Sequence, residues 1–110
     1  MENKGRINGQ RNQKEISTVM KKTYQFQFSP NGERNFVNLS KTLQSRVLKK
    51  LEYFERIENP LVFAKKLEGL NDLYRFRVGD YRIIVTPEEK NILTILLILK
   101  IAHRKEVYNG

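Results

Sequence analysis

Arg75, Arg77 and Arg82 are spaced to do one kind of chemistry, the binding of a phosphate or similar oxyanion. They lie in Leu73-Tyr74-Arg75-Phe76-Arg77-Val78-Gly79-Asp80-Tyr81-Arg82-Ile83-Ile84-Val85-Thr86, two alternating runs about a Gly-Asp pair. A Gly-X dipeptide between such runs signals a two-residue hairpin loop. With Gly79 and Asp80 as the loop, Val78 falls opposite Tyr81, Arg77 opposite Arg82, and Arg75 opposite Ile84. Side chains alternate between the faces of a strand. Tyr74, Phe76, Val78, Tyr81, Ile83 and Val85 therefore form an apolar face, and the arginines share the other. Like charges across a strand pair cost from a few tenths to about 1 kcal/mol. Stacking guanidinium groups there calls for acidic neighbours or a bound anion, and their planar forks match phosphate. The plainer reading, arginines as the solvated face of a half-buried sheet, stays open.

A second group follows a long apolar run: His103, Arg104 and Lys105, then Tyr108. If that run is a strand beside the second half of the hairpin, its C-terminal end approaches the arginine face. The candidate site then holds Arg75, Arg77, Arg82, His103, Arg104 and Tyr108. These residue types suit cleavage of RNA by its own 2′-hydroxyl. That reaction needs a base at the hydroxyl, cations for the charge on phosphorus, and an acid for the leaving oxygen. Arginines stay charged and fit the second role. Imidazole suits acid or base work at neutral pH, and a tyrosine can position the nucleophile, stack on a base or donate a proton. Plainer readings remain here too: His103 bonded to a backbone carbonyl at a strand end, and Tyr108 as a lid on the core. No Gly-rich phosphate loop, Ser-His-Asp order or paired carboxylates at a catalytic spacing is present.

The 110 residues suit one domain with a modest core. The chain has no cysteine, which excludes disulfides, thiol catalysis and cysteine metal sites. A single histidine excludes a multi-histidine metal site, and the acids are scattered. No metal or other cofactor is expected. The formal net charge of +9 argues for a polyanionic partner. No signal-like apolar stretch stands at the N-terminus, and residues 92–101 are half a membrane span. A cytoplasmic protein with no membrane association is expected.

The elements that must position these residues follow from pattern. Residues 1–22 are Asn-, Gln-, Gly- and Lys-rich and too polar to offset the entropy of ordering, so they read as a basic disordered tail. This tail is either an RNA-clinging arm or an extension before a start at Met20. Residues 23–110 form the domain. Thr23-Tyr24-Gln25-Phe26-Gln27-Phe28 alternates strictly and predicts a strand. Ser29 and Pro30 predict a helix start, and Ser40 a second one. Leu43, Val47, Leu48, Leu51, Phe54 and Ile57 recur at helical spacing until Asn59-Pro60 ends the helix. Residues 61–67 read as a connector with a short helical turn. After the hairpin, residues 86–91 read as a polar turn and residues 92–101 as a strand covered on both faces. The expected fold is α+β in the order β-α-α-β-β-β: a small, twisted, mostly antiparallel sheet with the first and last strands side by side. A helical hairpin packs on one face, and the arginines occupy the other.

Tyr-Arg-x-Arg-x-Gly-Asp-Tyr-Arg at 74–82 and His-Arg-x-x-x-Tyr at 103–108 closely resemble the RelE/ParE toxin superfamily, over roughly residues 23–108. The resemblance implies a small bacterial or archaeal toxin held in a hetero-oligomer by a cognate acidic antitoxin. RelE-type members cut messenger RNA in the ribosomal A site without a metal, by 2′-hydroxyl attack, which implies contacts to 16S ribosomal RNA. ParE-type members share the fold and inhibit DNA gyrase. The C-terminal tyrosine and the arginine set are more RelE-like. By the same resemblance Arg82 and Tyr108 match an arginine and a tyrosine of the RelE pattern. Arg104 approximately matches a further arginine, and Arg75 and Arg77 stand where that pattern has lysines. A lysine can serve as a base and an arginine cannot. Arg77 is thus expected to stabilise charge, leaving proton transfer to His103 or Tyr108. Lys65, Lys66 and Lys105 extend the basic surface and are expected to bind RNA. The rival readings are a gyrase inhibitor and a basic RNA-binding module without catalysis.

Overall fold

The computed structural model describes residues 22–69 and 72–105. The expected tail, apart from Lys22, and Tyr108 lie outside the described residues. Strand β1 (Thr23–Phe28) leads into helices α1 (Pro30–Val37) and α2 (Lys41–Arg56). A 3₁₀ turn (Pro60–Phe63) and a two-residue strand β2 (Lys65–Lys66) follow. Strands β3 (Tyr74–Val78), β4 (Tyr81–Lys90) and β5 (Leu93–His103) complete one sheet in the order β1-β5-β4-β3-β2. β1 runs parallel to β5 and every other pairing is antiparallel. This is the expected α+β arrangement, with the addition of β2.

The local signals act as their chemistry dictates. Ser29 Oγ accepts from Gly32 N–H at 3.0 Å and Ser40 Oγ from Leu43 N–H at 3.2 Å. Each cap satisfies a helix-start donor and contributes ~1 kcal/mol. Val47, Leu51 and Phe54 turn the buried stripe of α2 onto the sheet. Phe54 meets Phe76 at 4.8 Å, and Phe26 meets Phe76 edge-on at 5.5 Å, which ties α2, β1 and β3 together. The outer edge of β1 is closed by α2, where Glu55 Oε2 accepts from Phe26 N–H at 2.8 Å. An uncovered strand edge would be a template for pairing with another chain.

Residues 86–91 are not a polar turn. β4 continues through Pro87 to Lys90, and the reversal occurs at Asn91-Ile92. Asn91 sits at φ 61, a left-handed conformation that Asn tolerates better than most residues. Pro87 pairs with Leu96 beyond the last β3–β4 pair, Tyr74 with Val85. Among the described residues no β3 residue pairs with Pro87, so the missing proline N–H costs no β3–β4 ladder bond.

A bulge in β5 decides which side chains face which way. Ile84 pairs with Lys100 but Val85 pairs with Ile98, so Leu99 is an extra residue. Ile98 lies in the core and is fully buried; without the bulge, period two would put Lys100 beneath the helices with it. The bulge instead turns Ile101 inward, at 5% exposure, and Lys100 outward. Helix α1 holds the bulge: Asn31 Nδ2 donates to Leu99 O at 2.8 Å, and Ile101 N–H donates to Asn35 Oδ1 at 3.0 Å. β1 ends opposite Ile98, so these two asparagines take over the strand edge that β1 leaves unpaired.

Candidate functional site

The hairpin register is the one read from the sequence. Arg75 pairs with Ile84, Arg77 with Arg82, and Val78 with Tyr81 across a Gly79-Asp80 turn whose glycine has φ 59. Extending the register over the sheet builds two rows on the face away from the helices. One is Lys65–Arg75–Ile84–Lys100 and the other Arg77–Arg82–Ala102. Half-buried Ile84 makes an apolar floor with Arg75 and Lys100 on either side and Arg82 diagonal to Lys100. Arg75 and Lys100 stand two strands apart, about 10 Å, which their long side chains can span onto one phosphate group.

The arginines differ in exposure. Arg77 is exposed, Arg75 half-buried, and Arg82 only 2% exposed. The face therefore has a fixed charge at its centre and adaptable ones around it. Attraction to an anion grows as the surroundings become less polar, so a sunken guanidinium acts more strongly per unit distance than an exposed one. Arg104 reaches the same end of the sheet. Its N–H donates to Asp80 O at 2.7 Å and its Nε lies 3.9 Å from Asp80 Oδ1. Both partners of that ion pair are exposed, so it contributes little stability.

His103 does not join the arginines. It pairs with Tyr81, and their rings meet edge-on at 5.4 Å. Tyr81 belongs to the apolar face, and both rings line a cavity of about 260 Å³ with Asn35, Asn38, Leu39 and Ile101. His103 thus lies on the helix side of the sheet, one residue out of phase with Ala102 and Arg82. Its Nδ1 accepts from Lys105 N–H at 3.2 Å, which steadies the chain as it leaves β5. Lys66 is likewise on the helix side. It pairs with Tyr74, lies 5.8 Å over that ring, and contacts Asp72 at 3.5 Å. Lys65 faces the arginines, and Lys105 is exposed beyond the end of β5.

Lys100 is the site-face residue that sequence reading missed. Residues 95–99 are all apolar, so the pattern carries no face information where the bulge occurs. The irregularity shows only in the structure, where Leu96, Ile98 and Ile101 are all in the core, which no regular strand allows. A second basic surface lies on the outer side of α2, where Lys41, Thr42, Ser45, Arg46 and Lys49 line a shallow groove. Among the described residues, no helix is long and apolar enough to cross a membrane.

Comparison with known proteins gives this face a setting. Residues 26–108 match the family model described as ParE toxin of type II toxin–antitoxin system, parDE. No curated protein matches the chain. Among solved structures, the archaeal RelE–RelB complex from Pyrococcus horikoshii is 31% identical, with a TM-score of 0.56 over 74% of this chain and 96% of that one. A RelBE toxin–antitoxin complex from Mycobacterium tuberculosis aligns with a TM-score of 0.61 at 21% identity, over 74% of this chain and 99% of that one. A mutant of the E. coli toxin RelE in the free state gives 0.60 at 22% identity, over 79% and 92%. The sheet order, the helical pair on one face and the family match agree: this chain belongs to the ParE toxin family of type II toxin–antitoxin systems, within the RelE/ParE superfamily.

Proposed function

We propose that this toxin is an endoribonuclease that cuts messenger RNA in the ribosomal A site by attack of the RNA's own 2′-hydroxyl. The observation that carries the reading is the double row of cations over Ile84, with Arg82 sunk at its centre. In such a reaction charge builds on the phosphoryl oxygens as the 2′-oxygen approaches phosphorus. Preorganised donors aimed at those oxygens lower the barrier without reorganising during the step. Arg75 and Arg77 would bind and orient the phosphate, Arg82 would stabilise its developing charge, and Arg104 would approach from the hairpin end. Lys65, on the same face, would hold the backbone of a neighbouring nucleotide. Tyr108 would position the nucleophile or stack on a base, two of the three roles expected of it. His103, on the helix side, positions the segment that carries Arg104 and Lys105. The basic groove on α2 offers ribosomal RNA a second contact.

The partner in the cell would be a cognate acidic antitoxin, in keeping with the toxin–antitoxin complexes among the structural neighbours. Exposed Tyr53, Val62 and Phe63, beside a basic surface, suit an amphipathic acidic segment. A cytoplasmic setting follows from a ribosomal target.

The test is to add the protein to a translating extract and map the 5′ ends of the transcripts. Cuts confined to A-site codons, with free mRNA left intact, are expected. The second reading, favoured by the ParE description of the matched family model, is gyrase inhibition without cleavage. Intact transcripts, together with inhibited supercoiling by purified gyrase, would establish that reading instead.

A further inference from the structure

The arginine rows can hold a phosphate and stabilise its charge, but a guanidinium does not release a proton at neutral pH. The bond-breaking step needs one, because the departing 5′-oxygen is a poor leaving group as an alkoxide. His103, the imidazole of the chain, faces the helices. Lys100 faces the arginines. It is exposed, pairs with Ile84, and lies diagonal to Arg82 with small Ala102 as its neighbour along the strand. Three structural facts deliver it there: the extra residue Leu99, the Asn31 bond to Leu99 O, and the Asn35 bond to Ile101 N–H. An ammonium on a flexible stem can both contact a phosphate and give up a proton, where an arginine can only do the first.

Lys65 is the other described lysine within this pair of rows. It lies at the far end, on the two-residue edge strand β2, beside Arg75 and away from Arg82. Lys100 comes from a long strand paired on the β4 side and clamped by α1 on the other. A group that must meet a reacting atom is better held there than on a sheet edge.

We propose that Lys100 is a catalytic residue, the general acid that protonates the leaving 5′-oxygen. This rests on the ribonuclease reading above. In the step, the 2′-oxygen forms a bond to phosphorus as its proton passes to water. The P–O5′ bond breaks, its electron pair stays on the 5′-oxygen, and Lys100 Nζ supplies the proton that converts it to a hydroxyl. The products are a 2′,3′-cyclic phosphate and a 5′-hydroxyl. The neutral amine then regains a proton from solvent, so no oxidant, reductant or further reactant enters.

The test compares wild type with Lys100→Arg and Lys100→Met in single-turnover cleavage of ribosome-bound mRNA, on two substrates. One has the natural 5′-oxygen at the mapped cleavage position, and the other a bridging 5′-sulfur. Thiolate leaves without a proton, so the sulfur substrate removes the need for an acid. Lys100 is exposed, and circular dichroism checks that both variants keep the wild-type fold. On the oxygen substrate both variants should lose about 10²–10⁴-fold. On the sulfur substrate Lys100→Arg should return to within a few-fold of wild type. Lys100→Arg matching wild type on oxygen would reduce Lys100 to a binding charge and overturn the proposal. An equal loss on both substrates would do the same. If wild type cuts neither substrate, the ribonuclease reading itself fails and takes the role of Lys100 with it.

Discussion

Gly32 is the residue through which helix α1 sets the geometry of the site, and Gly32→Ala should destabilise the protein although helix propensity says the reverse. In an exposed helix interior, alanine is favoured over glycine by ~1 kcal/mol. Gly32 is buried, and a Cβ there would collide with the Ile98 carbonyl oxygen and meet its carbonyl carbon at 3.1 Å. That carbonyl cannot swing aside, because it accepts from Ser29 N–H at 2.9 Å. Relief needs α1 to withdraw by about 1 Å to restore ordinary contact. Withdrawal stretches three bonds together: Ser29 to Ile98, Asn31 to Leu99 and Asn35 to Ile101. At roughly 0.5–1.5 kcal/mol each, their loss is about 2–4 kcal/mol, and the propensity gain returns ~1. The expected net loss is about 1–3 kcal/mol. Urea unfolding at 25 °C should show a midpoint lower by roughly 0.3–3 M, with the slope unchanged. A variant as stable as wild type would refute the close approach of α1 to β5, and with it the account of how the bulge is held.

Asn35→Ala strips the partner from a half-shielded backbone donor and should lower stability by about 1–3 kcal/mol. Hydrogen exchange should locate the loss at the Ile101 amide, which exchanges faster while the Phe76 amide does not. His103→Gln should leave single-turnover cleavage on the ribosome within a few-fold of wild type, because the imidazole faces the helices; a loss above 10²-fold would return it to the chemistry. Lys66→Ala removes a lysine committed to Asp72 and Tyr74. It should cut as well as wild type in that assay, whereas Lys65→Ala should raise the toxin concentration needed for half-maximal cleavage, with the difference from wild type shrinking as salt rises.

What the sequence made legible was whatever one strong local rule controls. The hairpin register followed from alternation and a glycine that tolerates positive φ, and it agrees at every β3–β4 pair. Both serine caps and the buried stripe of α2 followed in the same way. The failures arose where two rules competed or none spoke. Pro87 and the charged residues after it signal a turn, yet the pairing of β4 with β5 runs through them because β3 has already ended. The uninterrupted apolar run in β5 hides its own bulge, so the face of every residue after Leu99 had to come from the pairing. That one hidden residue accounts for both surprises in the site, Lys100 gained and His103 lost. β2, with two residues, is too short to have a period.

Arg77 and Arg82 face each other across the hairpin and bear the same charge, yet the structure gives them unequal work on the ribonuclease reading. Arg77 is exposed, so water screens its pull on a phosphate, and its side chain must be ordered each time RNA binds. Arg82, at 2% exposure, has met that cost in folding and acts through a medium of lower effective dielectric. Lysine keeps the charge but has neither the planar fork nor the same reach. At position 77 that change should matter little, within about 5-fold in single-turnover cleavage, since an exposed ammonium can find the phosphate from many rotamers. At position 82 the shorter, differently shaped donor cannot reproduce the fork from a closed site. A loss of roughly 10–10³-fold is expected, the range for removing one preorganised donor in a transition state or somewhat less. Thermal unfolding separates this from instability, because a folded Arg82→Lys variant with wild-type melting can owe its defect only to the site. Equal losses at the two positions would mean that the sunken charge has no special role. The whole row would then act as a diffuse polycation, and the case for positioned catalysis on this sheet would rest on Lys100.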